Sequence, residues 1–364
     1  MRRLRPLAVL CLVLAVLPLA SSSSASSAAG AKRAAWKPLR VHGQPVRAIS
    51  ITEVRQYSSL SIPDLKRIAA DGFNTVTIYA YRFMTSANVS SQHVGEFTEP
   101  DASLAKTIDA AHDAGLAVEL IPTIWVGEGI GALYWRGAIH PADHNAWFDS
   151  YRAMVRHYAD LATQHRVEVF GVGSEMRSME GETSQWQHTI SDARAHFKGP
   201  ITYFTVVDAA AELTWWDRVD YPGISAYLSL SSNPSPGYDE LVKAWRTVHL
   251  PRLRSVAARA GRPLQLAEIG YASTQNAATH PENGSSGARD EALQALLYKV
   301  LLDAPLRDPA IDGLSLWRWS AYQQGPTDSG FSPKGKQAEC LLAQRWAPAG
   351  PSASQCGSLG RILF

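Results

Sequence analysis

The chain has 364 residues, 46% hydrophobic and 19% charged, the composition of a globular protein with enough chain for one large domain or two small ones. Its net charge of +2 offers no broad basic field, which argues against nucleic acid or anionic lipid as a partner. Of the three cysteines, Cys11 lies in the N-terminal apolar run and only Cys340 and Cys356 lie beyond it, both near the C-terminus, readable as a disulfide or as two free buried thiols.

The chain opens with MRRLRPLAVLCLVLAVLPLASSSSASSA: a basic start, an apolar run from Leu7 to Ala20 and a stretch of small residues. This is the pattern of a secretory signal peptide, expected over 1–28 with cleavage near Ala28 or Ala29. The run is shorter than the ~20 residues of a membrane span, so no stable membrane association is expected after cleavage. The chain should then be secreted, extracellular or periplasmic. Removal takes away Arg2, Arg3 and Arg5 and no acid, leaving 32 basic against 33 acidic residues, or −1. Residues 29–44 are Ser/Ala-rich at first and read as a flexible leader.

Short apolar or β-branched runs then alternate with helical patterns. The runs are AISIT (48–52), NTVTIYAY (74–81), LAVELIPTIW (116–125), VEVFGVGSE (167–175), ITYFTVV (201–207), GISAYL (223–228), LQLAEIGY (264–271) and DGLSLWRWS (312–320). Between them, IPDLKRIAADG and SLAKTIDAAHDAG read as helices stopped by Gly72 and Gly115. WFDSYRAMVRHYADLATQH places apolar residues at helical spacing from Trp147 to Leu161. Eight such units predict a single (β/α)8 barrel over 45–346 with extended βα loops. A doubly wound sheet would show a Gly-rich phosphate turn after its first strand, and none follows ISITEVRQY. The tail 347–364 holds Cys356, and a disulfide from Cys340 to Cys356 is expected to tie it down.

Barrel enzymes carry their reactive groups at the C-terminal ends of strands. Glu175 ends the fourth run and Glu268 interrupts the seventh just before it stops. A lone glutamate at a strand end is more often a salt-bridged structural residue. Two, each ending a buried strand among many aromatics, suit glycoside cleavage, in which one carboxyl protonates the leaving oxygen and the other attacks or activates water. Eleven Trp and thirteen Tyr supply flat faces for sugars. Trp125, Trp135, Trp215, Trp216, Trp317 and Trp319 fall at or beyond strand ends, and Tyr79 and Tyr81 alternate at the end of the second run. For each of these Trp taken alone, ligand stacking and loop packing are equally compatible with the sequence. Trp317 and Trp319 alternate, however, so only one of them can point into the barrel, and Trp317 is the one expected there. Trp147, Trp186, Trp245 and Trp346 lie in helix patterns and are expected in the core. HPADH (140–144) is a poor zinc motif, and no GxSxG elbow or P-loop occurs.

The stretches FGVGSEM and LAEIGYAS, with WRGAIHPADHNAWFDSYRAMVRHYADLA, TWWDRVDYPGISAYLSL, LWRWS and FSPKGKQAECLLAQRW, resemble clan A glycoside hydrolases, most of all family 113, the β-mannanases. The resemblance implies a retaining mechanism with Glu175 as acid/base and Glu268 as nucleophile. It also implies that Tyr227 hydrogen-bonds the nucleophile and that Trp317 floors the subsite of the attacked sugar. Ser174 stands where many clan members place Asn against the sugar 2-hydroxyl, and Thr123 where a His is expected. The substrate-binding set expected is therefore Ser174, Tyr227, Trp317, Trp125, Trp135, Trp215, Trp216 and Tyr79. The implied substrate is a β-linked polysaccharide such as β-1,4-mannan, cleaved by a monomer without metal or organic cofactor. Action on another β-glycan or an oligosaccharide, or a secreted carbohydrate-binding barrel without catalysis, are the alternatives.

Overall fold

The computed structural model describes residues 38–51, 58–127, 134–283, 287–322, 325, 327–347 and 356. The expected signal segment, leader residues 29–37 and the tail beyond 347 except Cys356 lie outside these residues. Eight parallel strands close into a barrel in chain order: β1 Val46–Ser50, β2 Thr75–Met84, β3 Ala117–Val126, β4 Val169–Ser174, β5 Ile201–Val206, β6 Tyr221–Ser225, β7 Leu264–Ile269 and β8 Ile311–Leu316. Helices α1 Leu65–Ala70, α2 Asp101–Asp113, α3 His144–Gln164, α4 Thr183–His196, α5 Val207–Ala210, α6 Tyr238–Ala244, α7 Leu250–Ala260, α8 Glu291–Asp303 and α9 Gln337–Trp346 surround it. Both the strand count and the single-barrel architecture expected from the sequence are met.

Alternation along each strand divides the core in two. Outward residues such as Val76, Ile78, Val118, Leu120 and Leu266 pack against the helices in one large cluster. Inward residues stack in layers up the barrel axis. Val46, Ala48 and Ala117 close the N-terminal end together with Val41. Residues 38–44, expected within the leader, are thus partly packed: Val41 pairs with Gln44 and plugs the barrel base. Above lies a polar layer in which Glu119 accepts from Thr77 Oγ1 at 2.9 Å and Gln265 Nε2 at 3.4 Å. Tyr79, Ile121, Phe204 and Ala267 form the next layer, the floor beneath the C-terminal mouth.

Helix α3 begins where Asp143 caps Ala146 N–H at 3.0 Å, a favoured N-terminal device. Trp147, Trp186 and Trp245 are buried as their helical spacing predicts. A disulfide joins Cys340 on α9 to Cys356, as expected. No described helix is long and apolar enough to cross a membrane.

Candidate active site

Both strand-end glutamates sit at irregularities in the ladder. Between Gly171 and Ser174, β4 advances three residues while β5 advances two, from Thr202 to Phe204. Between Gln265 and Glu268, β7 likewise advances three residues against two on β6. Such bulges re-aim side chains at barrel rims. In β7, Gln265 and Ala267 already face inward, and the bulge lets Glu268 join them at the mouth. In β4, Gly173 takes φ +142°, and a Cβ there would lie 2.2 Å from the Tyr151 hydroxyl. Glu175 follows with φ +53°, left-handed backbone that a non-glycine residue adopts at a cost of about 1–3 kcal/mol.

Glu175 and Glu268 line one cleft of about 540 Å³ with Trp135, Ser225, Tyr227 and Asp208. Glu268 receives a hydrogen bond on each oxygen: Tyr227 Oη to Oε1 at 2.9 Å and Tyr79 Oη to Oε2 at 3.1 Å. Burial and the charge of Glu268 hold both phenols well above their ordinary range, so both stay donors. Glu175 Oε2 is held by Arg136 Nη2 at 3.0 Å and by Trp135 Nε1 at 3.3 Å.

Burial and the Glu175 charge push the Glu268 carboxyl up to about 7, while Arg136 and the two tyrosine hydroxyls pull it down. The Glu175 charge is one of the two upward pushes on Glu268, so neutralising Glu175 favours the Glu268 carboxylate, a coupling suited to acid and nucleophile.

Of the other expected residues, Trp317 meets Tyr79 edge to face at 5.5 Å, and the Trp317–Arg318 peptide is cis. Trp319, two residues on, points the other way and donates to Asp64 at 3.0 Å inside the core. Trp125 is partly buried and packs edge to face on Tyr81 at 5.8 Å. Trp135 is the most open of the set, 47% exposed.

Three expectations are corrected. Trp215 and Trp216 are 0% and 2% exposed and belong to the core. Trp215 stacks on Trp186 at 5.2 Å, because the chain after β5 folds back onto α4 instead of rising over the mouth. The two indole N–H groups bond to the Glu180 and Ala210 carbonyls, which leaves neither for a ligand. Ser174 is also fully buried, its hydroxyl 3.1 Å from that of Thr123, so these two atypical residues satisfy each other.

The sequence reading missed Arg136. It lies ten residues beyond β3, where no periodicity marks it, and its only signal was its place in the WRGAIHPADH stretch.

A closed (β/α)8 barrel with two glutamates converging in one cleft at the strand C-termini defines the architecture of a barrel glycoside hydrolase. Residues 55–336 match the model of Glycoside Hydrolase Family 113. The chain belongs to that family and is a glycoside hydrolase. Among solved structures, it is similar to the family 113 β-mannanase AaManA from Alicyclobacillus acidocaldarius in complex with ManMIm. The identity is 27%, the TM-score is 0.73, and 83% of this chain and 97% of that one are covered. A family 113 β-1,4-mannanase is similar in fold at 22% identity and a TM-score of 0.73, covering 84% of this chain and 99% of that one. An exo-β-1,4-mannosidase from an Opitutaceae bacterium shares the fold at 14% identity and a TM-score of 0.58, covering 89% of this chain and 63% of that one. No curated protein matched the chain.

Proposed function

We propose that this protein is an exported, retaining endo-β-mannanase acting on β-1,4-linked mannan. The observation that carries the reading is the glutamate pair in one cleft, with Glu268 accepting hydroxyl donors on both oxygens and Glu175 ion-paired with Arg136 and accepting from Trp135 on one. In the first step Glu268 attacks the anomeric carbon while Glu175 delivers its proton to the glycosidic oxygen, which leaves with the bonding pair. In the second, Glu175 takes a proton from water as that water displaces Glu268 and frees the sugar. Tyr227 and Tyr79 orient the nucleophile. Trp317 and Trp135 offer aromatic faces on the two sides of the bond, in keeping with the exposure of Trp135. The mannanase activities of the similar enzymes support mannan as substrate. The basic-apolar-small pattern of residues 1–28 and the Cys340–Cys356 disulfide support export to an oxidising compartment.

The test is hydrolysis of mannan, galactan, glucan and xylan side by side, with the product anomer followed by NMR. The reading expects mannan to be cleaved with the β-anomer released first, and Glu175→Gln and Glu268→Gln to lower kcat at least about 10³-fold. An α-anomer as first product overturns retention, and preference for another polymer overturns mannan. No hydrolysis of any polymer, with sugar binding equal in parent and both variants, leaves the chain a binding barrel.

A further inference from the structure

The two oxygens of Glu175 are not equivalent. Oε2 is ion-paired with Arg136 Nη2 at 3.0 Å and accepts from Trp135 Nε1 at 3.3 Å, while Oε1 takes no hydrogen bond from a described residue. A guanidinium and an indole N–H can only donate and carry positive charge or a positive dipole. A proton on Oε2 would face both of them, so a protonated Glu175 carries its hydrogen on Oε1.

We propose that Arg136, with Trp135 beside it, is the positioning residue of the acid, directing the transferable proton of Glu175 onto Oε1. The inference rests on reading Glu175 as the acid/base. In the first step the Oε1–H bond breaks and the proton goes to the glycosidic oxygen, which keeps the electron pair of its broken bond to the anomeric carbon. Arg136 then faces the carboxylate left behind. In the second step Oε1 takes a proton from water.

Other features of the loop fit this role. Arg136 Nε also donates to the Ser174 carbonyl at 2.9 Å, so one guanidinium braces both the side chain and the left-handed strand end that carries it. Gly137 lies against the indole of Trp135, where a Cβ would come within 2.3 Å of Cζ2. The Trp-Arg-Gly triplet thus acts as one unit. The charged and titratable groups facing Arg136 are Glu175 beyond β4, Glu268 on β7, Tyr79 and Tyr81 on β2 and Tyr151 on α3. Burial opposes the guanidinium charge, and the two carboxylates outweigh it.

The experiment compares Arg136→Met and Arg136→Lys on mannan and on a dinitrophenyl glycoside, whose leaving group needs no proton. Arg136→Met is expected to lose about 10²-fold or more on mannan, the order of an acid-catalysis term, and to stay within about 3-fold on the activated substrate. The acidic limb of its pH profile should move to higher pH, because the cation that favours the Glu268 carboxylate is gone. Arg136→Lys should recover part of the mannan activity. Equal losses on both substrates with an unmoved limb, or no loss on mannan, overturn the proposal. A readout independent of hydrolysis is the ¹⁵N–¹H resonance of the Trp135 indole. Its position should change in Glu175→Gln and in Arg136→Met, since both alter the carboxyl to which the indole donates. A resonance unmoved in Arg136→Met overturns the role of Arg136 even if the protein cleaves no glycan.

Discussion

Two aromatic regions lie on either side of β4, and they put the same side chains to different uses. Behind the strand, Trp147 stacks on Tyr151 at 4.8 Å, Trp186 on Trp215 at 5.2 Å, and Tyr203 meets Trp215 at 4.8 Å. Their polar atoms mostly end on backbone carbonyls: Tyr151 on Val172, Trp186 on Met179 and Trp215 on Glu180. At the barrel mouth, Tyr79, Tyr227 and Trp135 direct theirs to the carboxylates of Glu268 and Glu175. A neutral carbonyl satisfies a buried ring and does nothing more. A carboxylate needs those donors to stand in a closed cleft at all, and the donors in turn set its charge. What separates packing from chemistry is whether that carboxylate lines the cleft: Tyr203, behind β4, also donates to a carboxylate, at 2.7 Å, but to Glu180, which lies outside it.

Replacing one ring on each side sharpens this contrast. Trp215→Ala should destabilise the protein by about 3–5 kcal/mol, the usual cost of emptying a large buried site, with the KM of the surviving folded enzyme unchanged. Trp317→Ala should leave the melting temperature near that of the parent and raise KM for mannan. Thermal unfolding and steady-state kinetics on both variants check this, and a destabilised Trp317→Ala with normal KM would erase the distinction.

The carboxylates also leave a signature in stability. Glu268 rises from 4.5 to about 7 on folding, so between those pH values the native state holds more protons than the unfolded chain. Native stability must therefore fall as pH rises through that window. Glu268→Gln removes the effect and should be the more stable protein at pH 8 by up to about 3 kcal/mol. The gap should narrow towards pH 5, as denaturant unfolding at the two pH values would reveal. Glu119, buried in the polar layer and also pushed up to about 7, contributes in the same direction and is untouched by that substitution.

A smaller change probes the donors. Tyr227→Phe keeps the ring and removes a hydrogen bond to a charged group, worth about 1.5–3 kcal/mol. The expected result is a 10- to 100-fold fall in kcat with the acidic limb moved to higher pH, since one of the groups pulling Glu268 down is lost. The equivalent deletion behind β4, Tyr151→Phe, should leave the pH profile where it was.

The sequence carried much of this design. All eight strands lie where apolar runs predicted them, and Glu175 and Glu268 stood out because each closes such a run with a carboxylate. The bulges that aim these carboxylates were hidden, since residue type does not record a ladder that slips by one position. Trp215 and Trp216 misled for a related reason: a place beyond a strand end does not say whether the loop rises over the mouth or folds back onto a helix. Trp317 and Trp319 were separable because they alternate on one strand extension, where side chains must point opposite ways. Arg136 stayed out of sight because its partner, Glu175, lies 39 residues along the chain and meets it only when the barrel closes.

The division of roles between the two carboxyls is tested most directly by trapping. A 2-deoxy-2-fluoro mannosyl donor with a good leaving group slows the second step, so a covalent sugar should accumulate and be found by peptide mass spectrometry on Glu268. A label on Glu175, or turnover of the donor with no adduct and inversion at the anomeric carbon, would contradict the account.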